Sequence, residues 1–268
     1  MSEQHAWFWL DEGQGYPLVL LHGLGASTFS WRCQREPLGR HFRLLAPDLP
    51  GHGRTLVSPG GDFSIRALAA GVARCLQDRG VTQAAVAGNS LGGGLALWLA
   101  REHPEMVSHL ILLAPAAALR RLPYIFVPLS LPVLGNLTAL ALGPWILPPA
   151  LGLIFHNRDL ITPEVLEGYA PPYRDRRQRR LLGEVCRQLQ LLPLEEVAAL
   201  LRKISCPTVL IWGVEDRILP LGQGCWMLAH LTQARPYFLP GVGHAPQEEA
   251  PDRVNQIIID FLRGTLKN

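Results

Sequence analysis

Between residues 84 and 103 the chain runs from a short apolar segment, Ala84-Ala85-Val86-Ala87, through Gly88-Asn89-Ser90-Leu91-Gly92 into a helix-forming stretch that lasts from Leu91 to His103. A serine set between a buried strand and a helix, with glycine two residues to either side, can take up strained backbone angles and hold its hydroxyl above a helix N-terminus. Such a turn presupposes a sheet with a helix packed closely on it. Gly92, Gly93 and Gly94 suit that approach, since side chains there would hold the helix away from the strands.

The rest of the chain agrees with a sheet of this kind. Candidate strands are 6–10, 18–21, 42–46, 84–87, 110–113, 208–212 and 235–239, and several are continuous apolar runs, as strands buried on both faces should be. They alternate with helical patterns. Ser64 caps a segment whose Ile65, Leu68, Ala69, Val72 and Leu76 share one face and which Gly80 can end; Val254, Ile257, Ile258, Phe261 and Leu262 form a similar stripe near the C-terminus. The alternation predicts an α/β fold with a mostly parallel central sheet and helices on both faces.

With 268 residues, of which 48% are hydrophobic, the chain can bury one large core. Residues 116–203 are too long for an ordinary connection, so the expected division is a core of 1–115 and 204–268 with a helical cap inserted at 116–203. From Leu122 to Phe155 the insertion has no charged residue, but six prolines interrupt it and argue against a membrane span. An apolar lid over a pocket is favoured, with transient contact with a membrane surface as the alternative, and Trp145 and Phe155 are the expected substrate-contacting side chains. Arg174, Arg176, Arg177, Arg179 and Arg180 fit a solvated helix face. The net charge of +3, without a basic stripe interleaved with aromatics, disfavours nucleic acid as a partner. Five cysteines without a paired motif, and an N-terminus without a long apolar run, fit a cytoplasmic protein with reduced thiols.

A serine hydroxyl needs a base, and the base an orienting acid. Among nine histidines, His244 stands in Gly241-Val242-Gly243-His244, directly after the last strand, on the same sheet edge from which Ser90 emerges. For the acid, the loop after strand 208–212 offers Glu215 and Asp216. Asp216 is preferred, with Glu215 and Asp48 as the other contenders. The backbone N–H of Leu91, at the start of the helix, and that of Leu24, in His22-Gly23-Leu24-Gly25, are the expected donors to a developing oxyanion.

Taken together, the His22-Gly23 loop, the Asp48-Leu49-Pro50-Gly51-His52-Gly53 turn, the Gly88–Gly92 elbow, the Gly213-Val214-Glu215-Asp216 loop and Gly243-His244 resemble the α/β-hydrolase superfamily across nearly the whole chain. The order Ser90, Asp216, His244 is the one this fold uses. The resemblance implies acyl transfer to water through an acyl-enzyme, with no metal and no organic cofactor. A serine nucleophile disfavours the haloalkane dehalogenase and epoxide hydrolase branches. Small-molecule esters with apolar acyl or alkyl groups are the expected substrates. Asn89 is also similar to the pattern of C–C bond hydrolases acting on ring-cleavage products, although Ala245 stands where those enzymes often carry tryptophan. Thioesters, lactones and cofactor-free haloperoxidase-like chemistry suit the same residues, and a non-catalytic binding protein is the contrasting class. The short N-terminus departs from the family pattern and predicts a sheet without its first antiparallel edge strand.

Overall fold

The computed structural model describes residues 7–118, 126–131, 134–189 and 191–266. Seven strands, β1 (Trp9–Glu12), β2 (Tyr16–Leu21), β3 (Phe42–Pro47), β4 (Ala84–Asn89), β5 (Val107–Leu113), β6 (Thr208–Gly213) and β7 (Ala234–Leu239), form one sheet in the order β1-β3-β2-β4-β5-β6-β7. Every pairing is parallel except that of β1 with β3, where Trp9 faces Pro47 and Glu12 faces Leu44. The sheet therefore does have an antiparallel edge strand, contrary to the sequence expectation. Its position also differs from the apolar run at 6–10, whose first residue lies outside the described region. The strand is carried past that run to include two acids, because Asp11 pairs with Arg43 and Glu12 with Arg35 on the exposed edge.

Both faces of the sheet are buried, and strand alternation divides the apolar residues between them. Helix α1 (Arg32–Gly39) buries Leu38 on one face of the sheet; on the other, Val19, Leu21, Val86, Leu110, Leu112 and Leu210 face a cluster built with helices α2 (Ile65–Asp78) and α3 (Leu91–Glu102). Leu18, Leu20, Ala85, Ala87, Ile111 and Val209 face the opposite cluster, which takes Val254, Ile258 and Leu262 from the C-terminal helix Pro251–Thr265. Each fully buried Leu, Ile or Val contributes about 1.5–3 kcal/mol relative to exposure. The ends of α2 follow the sequence signals: the Ser64 hydroxyl accepts from the Ala67 N–H, and Gly80 takes a left-handed φ of 69°.

From β2 the chain crosses first to β3 on one side and later to β4 on the other, so the strand order reverses at the β2–β4 neighbours. The loops leaving their carboxyl ends, at His22 and Ser90, splay apart and leave a crevice there. Above it lie the helices between β5 and β6. Helices Leu147–Ile154 and Pro163–Tyr169 pack around the fully buried Phe155, with Ala245 of the core in the same cluster. Helix Leu194–Arg202 instead buries Val197, Leu200 and Leu201 in the cluster beside α3. The prolines of the uncharged stretch start short helices: Pro128 in Val127–Ser130, Pro144 in Pro144–Ile146, and Pro148 and Pro149 in Leu147–Ile154. Pro123 and Pro132 lie outside the described residues. No described helix is long and apolar enough to cross a membrane.

Candidate active site

Ser90 follows β4 directly, with φ 53° and ψ −117°, and with Ala114 it is one of two described non-glycine residues with positive φ. A strained backbone of this kind costs about 1–3 kcal/mol and persists only where its surroundings hold it. Here the Ser90 N–H donates to the Leu113 carbonyl at 3.0 Å, while the Ser90 carbonyl accepts from Gly94 at 3.1 Å and Ala116 at 2.8 Å. The flanking glycines are required by space. A Cβ on Gly92 would lie 2.1 Å from the Leu21 carbonyl oxygen, and one on Gly88 would lie 2.3 Å from the Gly92 carbonyl oxygen.

His244 follows β7 in a buried loop, and its Nδ1 lies 2.7 Å from Asp216 Oδ2. The other Asp216 oxygen accepts from the Ile218 and Leu219 N–H groups, each at 2.8 Å, so both carboxylate oxygens are committed. An acceptor facing Nδ1 fixes the proton there and turns a bare Nε2 outward. The competing acids have other partners. Glu215 accepts from the backbone of Gly241 and Val242, and Asp48 from the backbone of Thr28 and Arg54.

Ser90 and His244 line one cavity of about 70 Å³. Leu24 lines it too; Leu91 is not among the lining residues, and as the buried first residue of α3 it has its N–H in the unpaired first turn of the helix. The structure does not bring Trp145 or Phe155 to this cavity. Trp145 lies 65% exposed on the outside of the cap, where Pro144 opens a single 3₁₀ turn, and Phe155 is sealed in the cluster behind the cavity wall. The segment between β5 and β6 instead contributes Phe126, Leu147, Leu151, Ile154, Tyr169 and Tyr173.

Several of these groups tie the loops together. The Asn89 amide nitrogen donates to the carbonyls of both Leu113 and His244, each at 3.1 Å, linking the serine strand to the histidine loop. The Tyr173 hydroxyl donates to the Gly25 carbonyl at 2.9 Å. His22 Nδ1 is 2.8 Å from the Gly23 carbonyl and its Nε2 accepts from the Leu49 N–H at 2.9 Å, so the ring is neutral, and burial depresses its pKa. From the cap, the Ile154 carbonyl accepts from the His244 N–H at 2.8 Å, and Glu249 receives the N–H groups of Gly243 and His156. Glu248 also faces the cavity. It is ion-paired with Arg32 and accepts from the Tyr169 hydroxyl at 2.6 Å, and burial raises both its own pKa and that of Tyr169. Sequence reasoning singled out none of Tyr169, Tyr173 or Glu248 for the site.

The chain belongs to the alpha/beta hydrolase family, whose model matches residues 18–257. It is 30% identical over 249 residues to the uncharacterized hydrolase YugF of Bacillus subtilis (strain 168), covering 92% of this chain and 89% of that one. It is 29% identical over 260 residues to a 2-hydroxy-6-oxo-6-phenylhexa-2,4-dienoate hydrolase of Burkholderia cepacia, covering 94% of this chain and 89% of the relative. Among solved structures, a thermophilic esterase of Thermogutta terrifontis superposes with a TM-score of 0.79 at 26% identity, over 96% of this chain and 93% of the esterase.

Proposed function

We propose that this hydrolase cleaves carboxylic esters whose acyl and alkyl groups are apolar and uncharged, using Ser90, His244 and Asp216 as nucleophile, base and orienting acid. The bare Nε2 of His244 takes the Ser90 proton as the hydroxyl oxygen attacks the ester carbonyl carbon. The N–H groups of Leu24 and Leu91 receive the developing oxyanion. His244 then gives the proton to the leaving alkoxide, a water deprotonated by the same imidazole attacks the acyl-enzyme, and the acid departs. Asp216 holds the imidazole tautomer and faces the imidazolium charge in both halves of the cycle. Residues 116–203 form the cap over this chemistry.

The observation that carries the substrate class is the charge of the cavity wall. Its described lining residues include neither Lys nor Arg but do include the Glu248 carboxylate. A dienoate of the sort named for the Burkholderia cepacia relative is an anion, and burying it beside Glu248 with no free cation among the described lining residues would be costly. Among the described residues, the guanidinium that meets this wall, that of Arg32, is already paired with Glu248. The test is a panel of p-nitrophenyl esters assayed beside a ring-cleavage dienoate, with a fluorophosphonate probe reporting on Ser90. Ester turnover and labelling lost in Ser90→Ala are expected. Dienoate cleavage with negligible turnover of every ester would overturn the ester proposal.

A further inference from the structure

A second concavity, an open cleft of about 630 Å³, lies against the catalytic cavity of about 70 Å³. Adjacent residues face opposite ways across the boundary. Ser27, Phe29 and Gly168 line the cleft, whereas their immediate neighbours Ala26, Ser30 and Tyr169 line the cavity. The boundary is completed by an ion pair that crosses it, with Arg32 on the cleft side and Glu248 on the cavity side. The main chain of Ser27–Ser30 and of Gly168–Tyr169 therefore forms part of the wall, and side chains close it between these two segments.

Between those segments the wall is held by polar contacts and two aromatic side chains, Phe29 and Tyr169. Glu248 joins Arg32 of the core to Tyr169 of the cap. Arg32 stacks over the Phe29 ring at 4.5 Å, and Phe29 meets Tyr169 edge-on with ring centroids 5.4 Å apart. Side chains that meet through rotatable head groups can part without unfolding a strand or helix. Beyond them, Phe8, Trp9, Leu10, Pro171 and Pro172 give the cleft apolar surface alongside polar side chains that include Asp11, Glu12, Thr28 and Asp48. Its arginines are matched by acids: Arg35 by Glu12 and Arg54 by Asp48, as Arg32 is by Glu248.

The two volumes set the requirement. At about 10–15 Å³ for each water, a cavity of about 70 Å³ has room for about five waters and for only the shortest acyl groups. The alcohol leaves after the first half of the cycle, whereas the acyl group must be housed through both, so the demand for space falls on the acyl chain. Resting on the ester proposal above, we propose that the cleft is the subsite for longer uncharged acyl chains, and that the Arg32–Glu248–Tyr169 partition parts to admit them and so sets chain-length preference.

The experiment measures the ratio of kcat/KM for p-nitrophenyl decanoate to that for p-nitrophenyl acetate. In the double variant Arg32→Ala/Glu248→Ala, which removes both charges and leaves neither buried alone, the ratio should rise about tenfold. In Pro171→Trp, which narrows the cleft from its exposed rim, it should fall about tenfold. The second variant keeps the test open if the first does not fold. A ratio that moves less than twofold in either variant that folds, as judged by circular dichroism and a cooperative melt, overturns the subsite. Absence of ester turnover and of fluorophosphonate labelling in the unmodified protein would instead overturn the ester proposal, so the two failures are distinct.

Discussion

Replacing Asp216 by asparagine changes one atom, and the hydrogen bonds around it dictate where that atom goes. Oδ1 accepts two backbone N–H groups, from Ile218 and Leu219, each at 2.8 Å. An amide nitrogen placed there would face two donors, so the asparagine must leave its oxygen in that position and turn its NH₂ toward His244, 2.7 Å away. A donor facing Nδ1 makes that nitrogen the acceptor and moves the ring proton to Nε2, the atom that has to receive the Ser90 proton. The enzyme folds but holds the wrong tautomer. Losses from a tautomer change of this kind are about 10⁴-fold in kcat, which at about 1.36 kcal/mol per decade is about 5.4 kcal/mol of transition-state stabilisation. Folding stability should fall by no more than about 2 kcal/mol, because both N–H groups stay paired. Steady-state hydrolysis of p-nitrophenyl esters, with a denaturant titration of each variant, measures both quantities. A fall below about tenfold in Asp216→Asn, with a severe loss in Glu215→Gln, would refute the assignment of the acid.

Three further outcomes follow from the packing around the site. Tyr173→Phe removes the donor to the Gly25 carbonyl beside the Leu24 N–H, so kcat should drop about tenfold while KM changes less than about threefold, as separated by full saturation curves. Gly92→Ala sets a methyl group 2.1 Å from the Leu21 carbonyl oxygen, a contact with backbone that cannot swing aside; the urea midpoint should report a loss of about 3 kcal/mol. His52 is buried with its pKa lowered from 6.5 to about 3, first by burial and then by His22, so below pH 6.5 the unfolded chain binds a proton that the folded one refuses. Stability from this group is present above pH 6.5 and lost as pH falls toward 3, at about 1.4 kcal/mol per pH unit. Urea titrations at pH 7 and pH 5 should show the unmodified protein losing about 2 kcal/mol more than His52→Gln, and equal losses would contradict the assignment.

The parts of this molecule legible in the sequence are those specified locally. The Ser64 cap and the left-handed Gly80 bracket α2 because capping and positive φ act within a few residues. The strands before Ser90 and Asp216 are legible as apolar runs and that before His244 by Tyr237-Phe238-Leu239, and the loops that follow them put these residues on one sheet edge. The inner wall of the cavity was not legible. Tyr169 meets Glu248 across 79 positions and Tyr173 meets Gly25 across 148, so no window of sequence contains either contact. Trp145 was drawn to the pocket by composition alone. Pro128, Pro144, Pro148 and Pro149 cut its surroundings into helices too short to carry a periodic apolar face, and composition then says nothing of which side a ring faces. An antiparallel edge strand is unexpected from the sequence because its pairing uses charge on Asp11 and Glu12, which an apolar run at 6–10 cannot reveal.

The bifurcated amide of Asn89 fixes the distance between two carbonyls 131 or more positions apart in the chain, those of Leu113 and His244, where 244 − 113 = 131. Registration of the imidazole over the β4 terminus therefore does not depend on the stiffness of the turn that delivers it. An engineer could lengthen that turn at Gly241, where an added Cβ would meet nothing within 4 Å and the N–H is held by Glu215, and still find the histidine returned to its place.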